Sequence, residues 1–174
     1  PVYIKNRIDT LTKGLTNIDT EEICKNSVKQ VYKGITQDEL NKIVIGSIRE
    51  QIENHYNYSF LSARYVLDLL SNKILNNHLF EDDHIKQYKS GFSSYVAKGI
   101  KLDMLNPEFA SFDLEKLAQE IEPNNDLKFQ YLGIQILEDR YLLRDRSFDR
   151  NIYELPQWFW MRVAMGLAYN EKEK

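Results

Sequence analysis

Residues 58–74 read YSFLSARYVLDLLSNKI. Leu61, Tyr65 and Leu69 recur at four-residue steps, with Phe60, Ala63, Leu67 and Leu70 beside them, so the apolar stripe is broad enough to meet two neighbouring elements. A helix with such a stripe sits in the middle of a core. The spacing therefore predicts a mainly α fold, a helical bundle with this segment near its centre.

Upstream, Thr36-Gln37-Asp38-Glu39 has the pattern in which a threonine hydroxyl and a glutamate three residues later satisfy each other's backbone amides. Leu40, Ile43, Val44, Ile48 and Ile52 follow at helical spacing. Asp19-Thr20-Glu21-Glu22 repeats the capping logic before Cys24, Val28 and Val31, which predicts a helix running toward Gly34 with those three on its inner face. Ile4, Ile8, Leu11 and Leu15 predict a helix over about 4–13, which Gly14 lets the chain leave in a left-handed conformation.

Downstream, a helix from about Asp82 to Gly99 carries Ile85, Tyr88, Phe92, Tyr95 and Val96, with Gly91 an unfavourable residue inside it. Asp113 is placed to cap a short helix with Leu114, Leu117 and Ile121 that Pro123 ends, and Asp126 to cap the next, with Phe129, Leu132, Ile136 and Tyr141 recurring. Tyr141-Leu142-Leu143 and Ile152-Tyr153-Glu154 flank a charged stretch, which predicts one short β-hairpin near residues 141–154. Pro156 suits a first helical position, and Trp158 to Ala168 is apolar nearly all round, as in a buried helix.

The chain has 43% hydrophobic residues over 174 positions, too many for disorder. Its 23 basic and 26 acidic side chains are interspersed, leaving no basic stripe for a polynucleotide. A single cysteine, Cys24, excludes an internal disulfide and a sulfur-rich zinc site and fits a reducing, cytoplasmic setting. No segment approaches the run of ~18 apolar residues that a membrane span needs, and none resembles a secretion signal.

Groups that could carry chemistry have structural readings that weigh more. Cys24 falls on an apolar helical face without a second cysteine or a histidine base, and is expected to be buried and inert. His55, His78 and His84 form no ligand pair of helical spacing and are expected to be solvated or to cap helices. Glu81-Asp82-Asp83 is expected to meet the positive end of a helix rather than a metal. Arg140, Arg144, Arg146 and Arg150 are interleaved with Asp139, Asp145 and Asp149 and read as a solvated hairpin rather than an anion site. Trp158, Phe159, Trp160 and Met161 read as core. No residue is assigned as catalytic, cofactor-binding or metal-ligating.

Pro156-Gln157-Trp158-Phe159-Trp160-Met161-Arg162-Val163-Ala164-Met165-Gly166-Leu167-Ala168 resembles a segment of ribonucleotide reductase large subunits. Asn125-Asp126-Leu127-Lys128-Phe129-Gln130-Tyr131-Leu132-Gly133 and Leu137-Glu138-Asp139-Arg140-Tyr141-Leu142-Leu143 resemble the same family in the same order. Gly34-Ile35-Thr36-Gln37-Asp38-Glu39-Leu40 and Leu61-Ser62-Ala63-Arg64-Tyr65 are similar to later helices of its nucleotide-binding cone and to the segment joining the cone to the body.

The resemblance implies residues 1–75 as a partial ATP-cone-like helical region and 76–174 as the N-terminal helical region of the reductase body, truncated before the catalytic barrel. It implies ribonucleotide reduction for DNA synthesis by the intact enzyme, with ATP and dATP as allosteric effectors, and as partners a second large subunit and a small radical-generating subunit. The chain by itself is expected to be structural and allosteric, without catalysis and without a cofactor. The cone's Lys-Arg-(Asp/Asn)-Gly type motif falls before Pro1, and the family's catalytic cysteines after Lys174. Two effector-contacting positions, a Thr and a Lys in the family, fall on Gln37 and Asn72, with Thr36 and Lys73 one residue away, so none is carried over. The alternative is a free-standing helical protein-interaction or regulatory module with cone-like helices.

Overall fold

The computed structural model describes residues 2–146 and 149–170 and is mainly helical, with eight α-helices and two short 3-10 turns among those residues. The chain divides into two compact units, residues 1–69 with 127–135 and residues 70–126 with 136–174, so that helices α4 (Asn57–Leu75) and α7 (Tyr131–Arg140) are each shared between them.

In the first unit α2 (Thr20–Gln30) packs against both α1 (Val2–Leu11) and α3 (Gln37–Arg49). Ile8, Leu11, Ile23, Val44, Ile48 and Leu61 are fully buried. The predicted start of α3 is present in full: Glu39 N–H donates to Thr36 Oγ1 at 3.3 Å, and Thr36 N–H donates to Glu39 Oε2 at 2.9 Å. Asp19 likewise caps α2, accepting from Glu22 N–H at 2.9 Å. The inner face of α2 differs from the prediction. Ile23 and Ser27 are buried, whereas Val28 and Val31 are exposed and Cys24 is half-buried. Ser27 can face inward because its hydroxyl donates to the Ile23 carbonyl at 2.9 Å, which removes the cost of burying it.

Two arginines tie α4 to α1. Arg7 Nε donates to Asp68 Oδ2 at 2.7 Å, with Asp68 almost fully buried. Arg64 Nη1 donates to the carbonyls of Leu11 and Lys13 at 2.9 and 2.7 Å, which supplies α1 with donors and positive charge at the end where its carbonyls lack partners. The central position read for residues 58–74 holds, with residues 61–68 buried without interruption.

In the second unit α5 (His84–Lys101) packs against α6 (Leu114–Glu120) and the 3-10 turn Pro107–Ser111. Asp113 caps α6, accepting from Lys116 N–H at 3.0 Å. Gly91 is explained by its neighbour: a Cβ there would lie 3.0 Å from Cζ2 of the Trp158 ring. Gly99 does not end α5, which continues to Lys101. A Cβ on Gly99 would come within 2.5 Å of Leu105 Cδ1, so its absence lets the chain fold back over the helix end.

The predicted hairpin is not formed. Among the described residues the segment holds one isolated antiparallel bridge, Arg144 to Ile152, and no strand, and positions 147 and 148 of the predicted turn lie outside the described residues. Two apolar runs brought the ends together, but two-residue pairing is too short for a ladder. Asp126 does not cap α7 either; it lies buried in the 3-10 turn Pro123–Lys128. On α7 the buried residues are Ile134 and Leu137, while Leu132 and Ile136 are exposed. Helix α8 (Pro156–Leu167) buries Trp158, Phe159 and Met165 but leaves Trp160 50% and Leu167 81% exposed, so it has one open apolar face rather than burial all round.

Candidate functional site

The most heavily built place in the second unit is the mooring of α8. Pro156 occupies the first helical position, and Leu155 before it offers no side-chain cap, so the first amides of the helix need partners from elsewhere. Tyr88 of α5 supplies one: its hydroxyl oxygen accepts from Gln157 N–H at 2.9 Å. The same hydroxyl donates to Asp126 Oδ2 at 2.7 Å, and Gln157 Nε2 donates to Asp126 Oδ1 at 2.7 Å. Trp158 Nε1 donates to the Tyr88 carbonyl at 3.0 Å, and its ring stacks on Tyr95 with centroids 5.1 Å apart.

Asp126 is only 4% exposed. Burial pushes its carboxyl up to about 7, against the pull of the Gln157 and Tyr88 hydrogen bonds. Burial and the facing Asp126 together hold the Tyr88 phenol well above its ordinary range.

A second carboxylate, Glu154, is fully buried and fully engaged. It accepts from Tyr95 Oη, from Arg162 Nε at 2.6 Å and Nη2 at 3.2 Å, and from Leu143 N–H at 2.8 Å. Burial opposes the charge on Arg162, but the Glu154 hydrogen bond and charge outweigh it and raise the guanidinium above its usual value. Glu154 thus joins α8, α5 and the bridge segment, and the ionic pair is compensated at every oxygen.

Beside this mooring lies an open cleft of ≈ 470 Å³, whose lining includes Lys73, Gly91, Lys98, Asn151, Ile152 and Tyr153. Lys98 Nζ stands 5.1 Å from the centroid of the Tyr153 ring. Burial pushes the Tyr153 phenol up to about 12. The described residues bring no nucleophile and base together here.

The residues singled out in the sequence are dispersed. Cys24 is half-buried rather than buried, and its thiol is raised by burial and by Asp9. His55 caps α4: its Nδ1 accepts from Asn57 N–H at 3.1 Å, and its ring stacks on Tyr56. His84 Nε2 lies 2.8 Å from Ser71 Oγ, whose hydroxyl donates to the Asn77 carbonyl. Among the described residues no three His, Cys, Asp or Glu side chains could hold a metal ion. Glu81 accepts from His78 N–H at 3.3 Å, whereas Asp83, at the start of α5, makes no side-chain cap there. Arg144 is held by the Glu138 carbonyl of α7 at 2.9 Å, and Arg146 by the Asp103 carbonyl after α5 at 2.6 Å, so these two guanidinium groups serve backbone carbonyls.

Tyr88, Asp126, Glu154 and Gln157 were not predicted as a connected set. One signal was available: Glu154 is an acid between Tyr153 and Leu155 in an apolar run, and a buried acid needs a partner such as Arg162, eight residues on. Asp126 carried no such mark.

Among the described residues no helix is long and apolar enough to cross a membrane. Residues 127–174 match the family model described as the ribonucleotide reductase all-alpha domain. The chain is 39% identical over 144 residues to the ribonucleoside-diphosphate reductase subunit alpha of Chlamydia muridarum, covering 82% of this chain and 13% of that one. It is 34% identical over 163 residues to the subunit alpha of Helicobacter pylori, covering 93% and 19%. The large subunit of Plasmodium falciparum is 27% identical over 176 residues, covering 98% and 21%. The chain thus spans between about an eighth and a fifth of the length of these relatives. With the similarity to these subunits extending over most of its length, the chain belongs to the ribonucleotide reductase large-subunit family, and its residues 127–174 fall in that family's all-alpha domain.

Proposed function

We propose that the chain serves as the N-terminal helical region of a ribonucleoside-diphosphate reductase large subunit, in the cytoplasm, with a structural and allosteric role. Residues 1–75 form a cone-like region and residues 76–174 the first helical part of the reductase body. The intact enzyme reduces ribonucleotides, with ATP and dATP as effectors and with a second large subunit and a small radical-generating subunit as partners. Nucleotide bound at the cone changes how subunits associate, and these helices support or transmit that change.

The observation that supports this reading best is similarity to subunit alpha sequences over most of the chain. The single cysteine fits a region that bears on the enzyme's assembly rather than on its redox chemistry. Calorimetric titration of the large subunit carrying this segment with ATP and with dATP tests the allosteric part. Saturable binding that shifts the oligomeric state supports it; a large subunit whose assembly is indifferent to both nucleotides contradicts it.

A further inference from the structure

The hydrogen bonds at the start of α8 all run one way. Gln157 N–H donates to Tyr88 Oη, Tyr88 O–H donates to Asp126 Oδ2, and Gln157 Nε2–H donates to Asp126 Oδ1. Both carboxylate oxygens therefore meet donors, and both donors are neutral. The charges around the site are turned elsewhere. On α5, Lys89 next to Tyr88 donates to the Gln119 carbonyl and pairs with Glu122, and His84 meets the Tyr88 ring by its edge while its Nε2 lies against Ser71. On α8 the facing residues are Gln157 and Trp158, with Arg162 given to Glu154. Within the turn that carries Asp126, Lys128 is exposed.

A proton added to this carboxyl cannot enter without a rearrangement. Placed on Oδ2 it opposes the Tyr88 hydroxyl hydrogen, and if that hydrogen turns away it loses its acceptor while the phenol oxygen already receives Gln157 N–H. Placed on Oδ1 it opposes Gln157 Nε2–H, but a half-turn of the Gln157 amide presents Oε1 as an acceptor and keeps every bond. The second route leaves no buried polar atom unmatched.

We propose that Asp126, Tyr88 and Gln157 form a proton-operated latch on the first turn of α8: the ionised carboxylate holds Gln157 by its amide nitrogen, and the protonated acid holds it by its amide oxygen. One proton is exchanged with solvent, the hydrogen bond from Gln157 Nε2 to Asp126 Oδ1 gives way to one from Asp126 Oδ1–H to Gln157 Oε1, and the O–H is the only covalent bond made or broken. Because burial places the carboxyl at about 7, the two forms exchange in the neutral range.

The test is nuclear magnetic resonance on the full chain with carbon and nitrogen labels, following Asp126 Cγ and the Gln157 side-chain amide from about pH 2 to about pH 9, a range that brackets the ordinary and the raised carboxyl values. The latch predicts one shared midpoint for the two signals, far above the ordinary aspartate value. Asp126→Asn, whose amide copies the protonated acid, fixes the Gln157 signal at its acid-side position and abolishes the titration. Tyr88→Phe removes one donor to the carboxylate and moves the midpoint upward, and this variant with the wild-type titration decides the matter if Asp126→Asn fails to fold. An Asp126 midpoint in the ordinary carboxylate range, or a Gln157 amide that stays unmoved while Asp126 titrates, overturns the proposal.

Discussion

Arg162 Nε donates to Glu154 Oε1 across 2.6 Å, with the glutamate side chain fully buried and the arginine 21% exposed. Removing one partner from such a pair leaves the other without compensation, which costs about 3 kcal/mol or more. Glu154→Ala is expected to lower stability by that amount in urea unfolding, through the midpoint and not the slope. Arg162→Met keeps much of the side-chain volume but strands the buried acid. It too is expected to destabilise.

Gly91 and Gly46 form a contrast. Alanine gains about 1 kcal/mol over glycine inside a helix. At Gly46 nothing lies within 4 Å of the added carbon, so Gly46→Ala is expected to stabilise by about that amount. At Gly91 the new carbon meets Trp158 at 3.0 Å, and that ring is held by its bond to the Tyr88 carbonyl and by Tyr95. Gly91→Ala is expected to lose about 1–2 kcal/mol net in thermal unfolding.

Thr36→Ala removes the hydroxyl that receives Glu39 N–H and is expected to cost about 1 kcal/mol, read as a lower urea midpoint. Glu39 itself is held below the usual carboxylate range by the Thr36 backbone amide first and the Thr36 hydroxyl second. Its contribution is present above the unfolded value and is lost as pH falls through the folded one.

Asp126 has the opposite sign. Its folded carboxyl stands at about 7 against an ordinary 3.8, so the folded chain holds a proton that the unfolded chain has released. Its contribution favours the folded state below the unfolded value and falls away as pH rises toward 7. The stability of Asp126→Asn relative to wild type is therefore expected to improve by about 1–3 kcal/mol between about pH 5 and about pH 8, as urea unfolding at each pH reads it.

Helix existence was legible wherever local chemistry and periodicity agreed. The Thr36 and Glu39 exchange and the broad stripe of residues 58–74 are local patterns that tertiary packing preserves. Faces were less legible. Ser27 displaces Val28 from the interior because a back-bonded serine is small and satisfied, which no hydrophobic count registers. Asp126 was read as a cap because caps are where aspartates usually lie; its donors come from residues 38 positions before it and 31 after it. The hairpin failed for the converse reason, since apolar runs around a polar turn specify proximity but not a ladder. The open side of α8, with Trp160 and Leu167, shows that an apolar helix need not be enclosed by the residues near it.

Ribonucleoside-diphosphate reduction is the most direct test of the functional account. The large subunit carrying this segment, mixed with its small subunit, a dithiol reductant and ATP, is expected to convert labelled CDP to dCDP, while residues 1–174 alone under the same conditions produce none. Deoxynucleotide formed by the isolated chain, or none formed by the assembled subunits, contradicts it.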